Sequence, residues 1–195
     1  MKKNIRDAEK SQQGDTMGTS NGSLARIAKG IRLLVLDVDG VLTDGGIILD
    51  NQGNELKSFH VRDGHGIKML IHSGIHVAII TGRSSKVVVL RAKELGITDV
   101  LQKCHDKRTA YKGLLEKYSL DDREVAYIGD DIVDLPLLKR AGLPVAVADA
   151  VDEVKSSAVF VTENRGGRGA VREVIEFILK AKGLWKEILN GYSKT

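Results

Sequence analysis

From about Leu24 onward, short apolar runs alternate with stretches of helical periodicity. Residues 31–36 (IRLLVL) have the near-continuous apolar character of a strand buried on both faces. Further strands are predicted at 77–80, 100–101, 125–128, 145–147 and 159–161, and helices over 63–73, 84–95, 106–118, 132–140, 169–180 and 184–189. Gly74 closes the first of these helices as the residue after its cap, Gly96 stops the second, and Gly142 comes after the fourth. The helix at 106–118 shows an apolar stripe of Ala110, Leu114, Leu115 and Tyr118. Between 47–49 and 56–59, Asp50-Asn51-Gln52-Gly53-Asn54 has the composition of a hairpin turn. Apolar strands separated by helices predict an α/β fold, a doubly wound parallel sheet of Rossmann-like type. Ligands of such sheets bind beyond the carboxyl ends of the strands.

Residues 1–23 break this pattern. They are polar, rich in Gly, Ser and Gln, and aperiodic, and they predict a disordered leader followed by a single domain over 24–195. The leader lacks the apolar core of a secretory signal, and Asp7, Glu9 and Asp15 do not suit a transit peptide.

The strand ends concentrate the chemistry. The first ends in Asp37-Val38-Asp39-Gly40, the second in Thr81-Gly82-Arg83, and the fourth in Gly129-Asp130-Asp131 with Asp134 a turn later. Lys107 opens the helix after the third. Carboxylates of Asp37 and Asp130 brought to one point would repel, and a hard divalent cation relieves that repulsion. Oxygen donors with few protein ligands favour Mg²⁺. With Lys107 and the Thr81 hydroxyl alongside, the site suits a dianionic phosphoryl group, and Gly40, Gly82 and Gly129 let backbone N–H groups approach it. Asp37 is then placed for in-line attack, giving an aspartyl-phosphate, and Asp39 for proton transfer to the leaving group and from water.

Composition removes competing classes. The chain has 30 Lys/Arg and 26 Asp/Glu; residues 1–32 hold seven and three of these, leaving 23 of each in the body. The formal charge of +4 therefore sits in the first 32 residues, and the body offers no field to steer a nucleic acid. Aromatic residues make up 4 %, which also disfavours a base-stacking surface. No apolar run approaches bilayer length, and the single cysteine, Cys104, expected as a small buried side chain, suits a reducing, cytoplasmic setting. The five histidines show no transition-metal spacing; Gly74 separates His72 from His76, and His65 and His105 lack spaced partners.

The ordered set 37–41, Thr81, Lys107 and 129–134 resembles the haloacid dehalogenase-type phosphatases. DVDGVLTDG at 37–45, FHVRDGHGIK at 59–68, IITGR at 79–83, AYIGDD at 126–131 and GGRGAVREV at 166–174 are similar to the 3-deoxy-D-manno-octulosonate 8-phosphate phosphatases within them. The resemblance implies Asp37 as nucleophile, Asp39 as general acid and base, and Thr81 and Lys107 as phosphoryl ligands. It implies Mg²⁺ on the side chains of Asp37 and Asp130 and the carbonyl of Asp39, with Asp131 and Asp134 behind them. It further implies that His60, Val61, Arg62, Asp63, Gly64, Lys68, Arg83 and Arg91 meet the sugar acid, together with Asp39 and Lys107, and that His60 acts by hydrogen bonding. The implied product is a free sugar acid for lipopolysaccharide precursors, and the implied assembly is a homotetramer without nucleic acid or membrane partners.

The chain between Asp44 and Arg62 is too short for a cap domain, so a capless fold with a small hairpin flap is expected. An apolar hairpin face of Ile47, Leu49 and Leu56 would then await a neighbouring subunit. Gly166-Gly167-Arg168-Gly169 is read as a mobile loop whose Arg168 meets the substrate carboxylate. Two alternatives stand beside this reading: a nine-carbon sialic-acid-type 9-phosphate as substrate, and a receiver-type phosphoacceptor. A receiver carries its acidic pair after the first strand and its phosphoacceptor after the third, the reverse of the order here.

Overall fold

The computed structural model describes residues 13–193. The chain runs through α1 (Gln13–Gly30), β1 (Leu33–Leu36), a hairpin of β2 (Ile48–Leu49) and β3 (Glu55–Leu56), α2 (Val61–His72), β4 (His76–Ile80), α3 (Lys86–Leu95) and β5 (Asp99–Leu101). It continues through α4 (Lys107–Tyr118), β6 (Val125–Gly129), α5 (Leu135–Leu138), β7 (Leu143–Ala146), α6 (Asp152–Ser157), β8 (Phe160–Val161), α7 (Ala170–Ala181) and α8 (Trp185–Tyr192). Short 3-10 turns precede β6 and α5.

Six strands form one parallel sheet in the order β5-β4-β1-β6-β7-β8. The sheet is the doubly wound one expected. Strand β1 is buried at every position and lies between β4 and β6. From β1 the chain works outward through β4 to β5, then returns to build β6, β7 and β8 on the other side. The direction reverses beside β1, and this reversal opens a crevice beyond the carboxyl ends of β1, β4 and β6. One helix layer packs α2 against α3 and α7, and α7 against α1; α4 and α5 form the other layer. Helix α7 shows why: Ala170, Val171, Val174, Ile175, Ile178 and Leu179 recur at helical spacing, and all are buried. No described helix is long and apolar enough to cross a membrane.

Several expectations are corrected. The expected leader lies outside the described residues over 1–12, but from Gln13 the backbone is helical. Leu24, Ile27 and Ala28 at the end of α1 pack on the core, and helix propagates from an anchored end into polar sequence. The helix expected over 132–140 is a 3-10 turn followed by one turn of α5, because Asp131 and Asp134 cap the turn reciprocally. Helix α6 was not expected. The inward stripe of α4 is Lys107, Tyr111 and Leu114, with Ala110, Leu115 and Tyr118 half-buried beside it. In the hairpin, Ile48 pairs with Leu56 and Leu49 with Glu55. Alternation therefore puts Leu56 on the face of Ile48, opposite Ile47 and Leu49, so the expected face does not exist as drawn. Ile47, Ile48, Leu49 and Leu56 are all exposed.

The glycine-rich segment 166–169 is docked, not mobile. Gly167 N–H donates to the Val41 carbonyl at 2.9 Å, Gly166 N–H to Asp149 Oδ1 at 2.9 Å, and Arg168 pairs with Asp44 at 3.0 Å. A Cβ on Gly166 would collide with the carbonyl of Gly40, and one on Gly167 with the backbone of Thr43 and Asp44. These glycines allow two backbones to touch. Gly166→Ala is accordingly expected to destabilise the protein by about 1–3 kcal/mol or more. Gly113→Ala, on the exposed face of α4 with open space around it, should stabilise by up to ~1 kcal/mol. Denaturant unfolding of both variants checks the contrast.

Candidate active site

Asp37 follows β1 directly and is held by its N–H to the Ile128 carbonyl at 3.3 Å. The chain then curls on the Val38 carbonyl, which accepts from the N–H groups of Leu42 at 2.9 Å and Thr43 at 3.1 Å. Gly40 has φ +89°, and a Cβ there would strike the Asp130 carboxylate, so glycine is required at this turn. Asp130 and Asp131 follow β6. Thr81 follows β4 and is buried; its Oγ1 accepts from Arg83 N–H at 3.3 Å, leaving the hydroxyl proton for a ligand. Lys107 is the first residue of α4, whose N-cap is Asp106. Its place on the inward stripe directs the ammonium under the sheet end.

At the centre Lys107 Nζ donates to Asp37 Oδ1 at 2.8 Å and to Asp134 Oδ1 at 2.6 Å. The Tyr127 hydroxyl also donates to Asp134 Oδ1, at 2.6 Å, and Asp134 Oδ2 accepts from Asp130 N–H at 3.0 Å. Asp134 is fully buried and both its oxygens are engaged by protein donors, so it orients its neighbours. Carboxylate oxygens of Asp37, Asp130 and Asp134 lie within 4.8 Å of one another. Among the described residues the Asp130 carboxylate has no hydrogen-bond partner. Burial first, then the charges of Asp134, Asp37 and Asp131, push Asp130 up to about 8. Burial lifts Asp37 to about 6 against the pull of Lys107, with Asp134 adding to the rise. Burial also opposes the Lys107 charge, but Asp37 and Asp134 outweigh it and hold that ammonium above its ordinary range. Three hard carboxylates facing one ammonium fit a divalent cation, with Asp37 and Asp130 free to ligate.

The crevice measures about 320 Å³ and gathers Asp37, Asp39, Thr81, Arg83, Lys107, Asp130 and Asp131 from the expected set. Cys104 is half-buried in its wall and not a core residue; burial raises its thiol pKa. The other expected residues lie elsewhere. Asp63 is buried and accepts from Arg172 N–H at 2.7 Å and Gly169 N–H at 3.3 Å, capping α7. Gly64 leaves room for the Arg91 guanidinium, which pairs with Glu94 at 2.7 Å. Lys68 faces a groove between α2 and α8, and Val61 is exposed. His60, Arg62 and Arg168 share a separate hollow of about 530 Å³ with Arg172.

Sequence reasoning missed Tyr127, His105, Glu55, Ser85 and Lys57. His105 lines the crevice. The Lys57 side chain is almost wholly buried, with its ammonium on Asp39 and 3.3 Å from Glu55. Glu55 also accepts from Ser85 Oγ at 2.5 Å and Arg83 Nη2 at 3.0 Å. The spacing of Glu55 and Lys57 on one strand face was the available signal.

The fold and crevice define a class, and the matching family model carries its description: haloacid dehalogenase-like hydrolase, over residues 90–175. The 3-deoxy-D-manno-octulosonate 8-phosphate phosphatase KdsC of Yersinia pestis is 54 % identical over 155 residues, covering 80 % of this chain and 83 % of that protein. A HAD superfamily (subfamily III A) hydrolase from Legionella pneumophila superposes with TM-score 0.88 at 48 % identity, covering 92 % of this chain and 99 % of that one. The 3-deoxy-D-manno-octulosonate 8-phosphate phosphatase of Moraxella catarrhalis, solved with magnesium, phosphate and KDO, superposes with TM-score 0.86 at 43 % identity, covering 88 % and 98 %. The chain belongs to the 3-deoxy-D-manno-octulosonate 8-phosphate phosphatase family of haloacid dehalogenase-like hydrolases.

The raised carboxyls set a pH dependence. Between about pH 6 and 8, above the range of the carboxylates that folding lowers, Asp37 and Asp130 hold protons in the folded, cation-free protein that the unfolded chain has lost, so this contribution to stability falls as pH rises through that window. Cation affinity should move the opposite way, rising from pH 6 to 8 as protons leave Asp37 and Asp130. Asp130→Asn should raise the cation-free melting midpoint at pH 8 by at least about 2 °C, since ~1 kcal/mol moves a domain of this size that far, and should lose cation binding. Thermal melts with chelator or Mg²⁺ across this range test both signs.

Proposed function

We propose that this protein is a Mg²⁺-dependent phosphatase that hydrolyses 3-deoxy-D-manno-octulosonate 8-phosphate to the free sugar acid and phosphate. The observation that carries the reading is the crevice itself: Asp37, Lys107 and Asp130 converge beyond three strand ends in a chain similar over most of its length to enzymes of that name. The side chains of Asp37 and Asp130 and the carbonyl of Asp39 would hold Mg²⁺, which supplies charge neutralisation for the phosphoryl group and the carboxylates around it. Lys107 and Thr81 grip the phosphoryl oxygens. An Asp37 oxygen attacks phosphorus, the ester P–O bond breaks, and Asp39 gives its proton to the leaving alkoxide. Asp39 then takes a proton from water, the water oxygen attacks phosphorus, and the P–O bond to Asp37 breaks. Asp134, held by Lys107 and Tyr127, fixes the Asp130 backbone throughout.

The reading extends to one catalytic domain beginning near Leu24 and to a cytoplasmic site of action. It extends as well to an assembly of several copies, a tetramer. Two observations support the assembly. Apolar Ile47, Ile48, Leu49 and Leu56 stand exposed on the hairpin, and the sugar-acid contacts expected at His60, Arg62 and Arg168 lie outside their own crevice. Hairpin packing between copies would cover the first and bring the second to a neighbour's crevice.

Asp37→Asn should leave the fold intact and lower kcat by several orders of magnitude, because the amide is neither nucleophile nor anionic ligand. Retention of more than about a tenth of the rate would exclude the covalent route. Chelator should abolish turnover, Mg²⁺ should restore it, and Ca²⁺, with longer and looser coordination, should restore it poorly. Phosphate release from the eight-carbon substrate measures all three. Ile48→Lys is expected to reduce the mass in solution and to raise KM for the sugar-acid phosphate, read by light scattering and steady-state kinetics.

A further inference from the structure

The hairpin sets two charged side chains against Asp39 and Arg83 in the crevice wall. Alternation along β3 and the residue after it puts Glu55 and Lys57 on one face and Leu56 on the other. The Lys57 side chain is 1 % exposed, and its ammonium contacts Asp39 Oδ1 and Glu55 Oε1. Glu55 Oε1 accepts from Arg83 Nη2 at 3.0 Å, and Arg83 Nε lies 3.5 Å from Asp39 Oδ2. Lys57, Asp39, Arg83 and Glu55 thus close a ring of two cations and two anions. Ser85 Oγ, donating to Glu55 Oε2, ties the ring to the N-cap of α3. A buried ion pair is a weak source of stability, because an apolar pair of similar volume often serves the fold as well. The fold therefore gives no reason for an ammonium at position 57, whereas its contact with Asp39 does.

We infer that Lys57 is a positioning residue for the proton transfers of the hydrolysis: it clamps Asp39 Oδ1 from the hairpin and so presents Oδ2 to the leaving group. This rests on the reading of Asp39 as the proton carrier. Asp39 is tethered by its backbone to the Gly40 turn, but that tether leaves the rotation of its carboxylate open. Lys57 closes that freedom from a second element. Oδ2 faces Arg83 on the crevice wall, so an incoming anion that engages Arg83 releases Oδ2 for chemistry while Oδ1 stays held. General acid catalysis contributes about 10²–10⁴-fold when the proton donor is well placed, and a misaimed carboxyl forfeits part of that.

The test compares leaving groups. An alkoxide needs a proton as it departs, whereas p-nitrophenolate does not. In single-turnover experiments that follow phosphorylation of Asp37, Lys57→Met should slow reaction of the sugar-acid phosphate by at least tenfold and of p-nitrophenyl phosphate by less than threefold. Lys57→Arg, which keeps the charge and the buried stem, should recover at least a third of the alkyl-ester rate. Equal slowing of both esters, or no slowing of either, overturns the inference, and so does failure of Lys57→Arg to rescue. Where Lys57→Met does not fold, as judged by circular dichroism, Lys57→Gln carries the same comparison. Absence of wild-type turnover on the sugar-acid phosphate would instead count against the substrate proposed above. The comparison would then use the alkyl phosphate the enzyme hydrolyses fastest, and the same two outcomes would decide Lys57.

Discussion

A single ammonium group organises the catalytic end of this sheet. Lys107 Nζ lies between Asp37 and Asp134, both almost fully withdrawn from water, and a third carboxylate, Asp130, stands nearby without a partner among the described residues. Taking such charges out of water is costly, and one cation cannot balance three anions. The fold accommodates the imbalance by letting Asp37 and Asp130 hold their protons toward neutral pH, and by driving the sheet together with strands that are apolar at nearly every position. The deficit of positive charge among these residues is also what makes the crevice receptive to a divalent ion. Stability and ligation oppose each other at the same atoms.

Much of this was legible from residue order. The apolar runs indicated the strands, the rule that such sheets bind ligands beyond their carboxyl ends indicated where to look, and the structure brings the polar residues just past Leu36, Ile80 and Gly129 to one crevice. Asp37, Thr81, Lys107 and Asp130 were found this way because each sits at an element boundary, where sequence position determines direction. Tyr127 was not, since a tyrosine inside a strand reads as core until the face it shares with Asp134 is known. The spacing of Glu55 and Lys57 put them on one strand face, but that this face turns inward follows from the angle at which the hairpin folds back, which the spacing does not specify. Helix α1 was missed for a related reason. Its polar sequence has little helical preference of its own, and its ordering comes from packing at one end against α7.

The residues that the resemblance assigns to the sugar acid separate into two groups in space. Arg83 shares the crevice with Asp37, while Asp63 and Gly64 serve α7 and Arg91 within the same chain. A short block such as 60–64 thus combines an exposed residue at Val61, a helix cap at Asp63 and a steric clearance at Gly64. Substitution within it would disturb packing and recognition together, so loss of activity there is poor evidence of ligand contact.

The position of β1 has a further consequence, for the order of synthesis. Asp37 emerges early, but Asp130 and Asp134 follow only after 92 and 96 intervening residues. Strand β6, which pairs directly with β1, arrives with them. Until then β1 has only β4 as a sheet neighbour, and its other edge presents unpaired backbone groups. At roughly 5–20 residues per second, the interval between Asp37 and Asp130 lasts on the order of 5–20 s. The central strand of the finished enzyme is therefore an open edge for much of translation, and the carboxylates that later repel one another are kept apart by time before they are held together by structure.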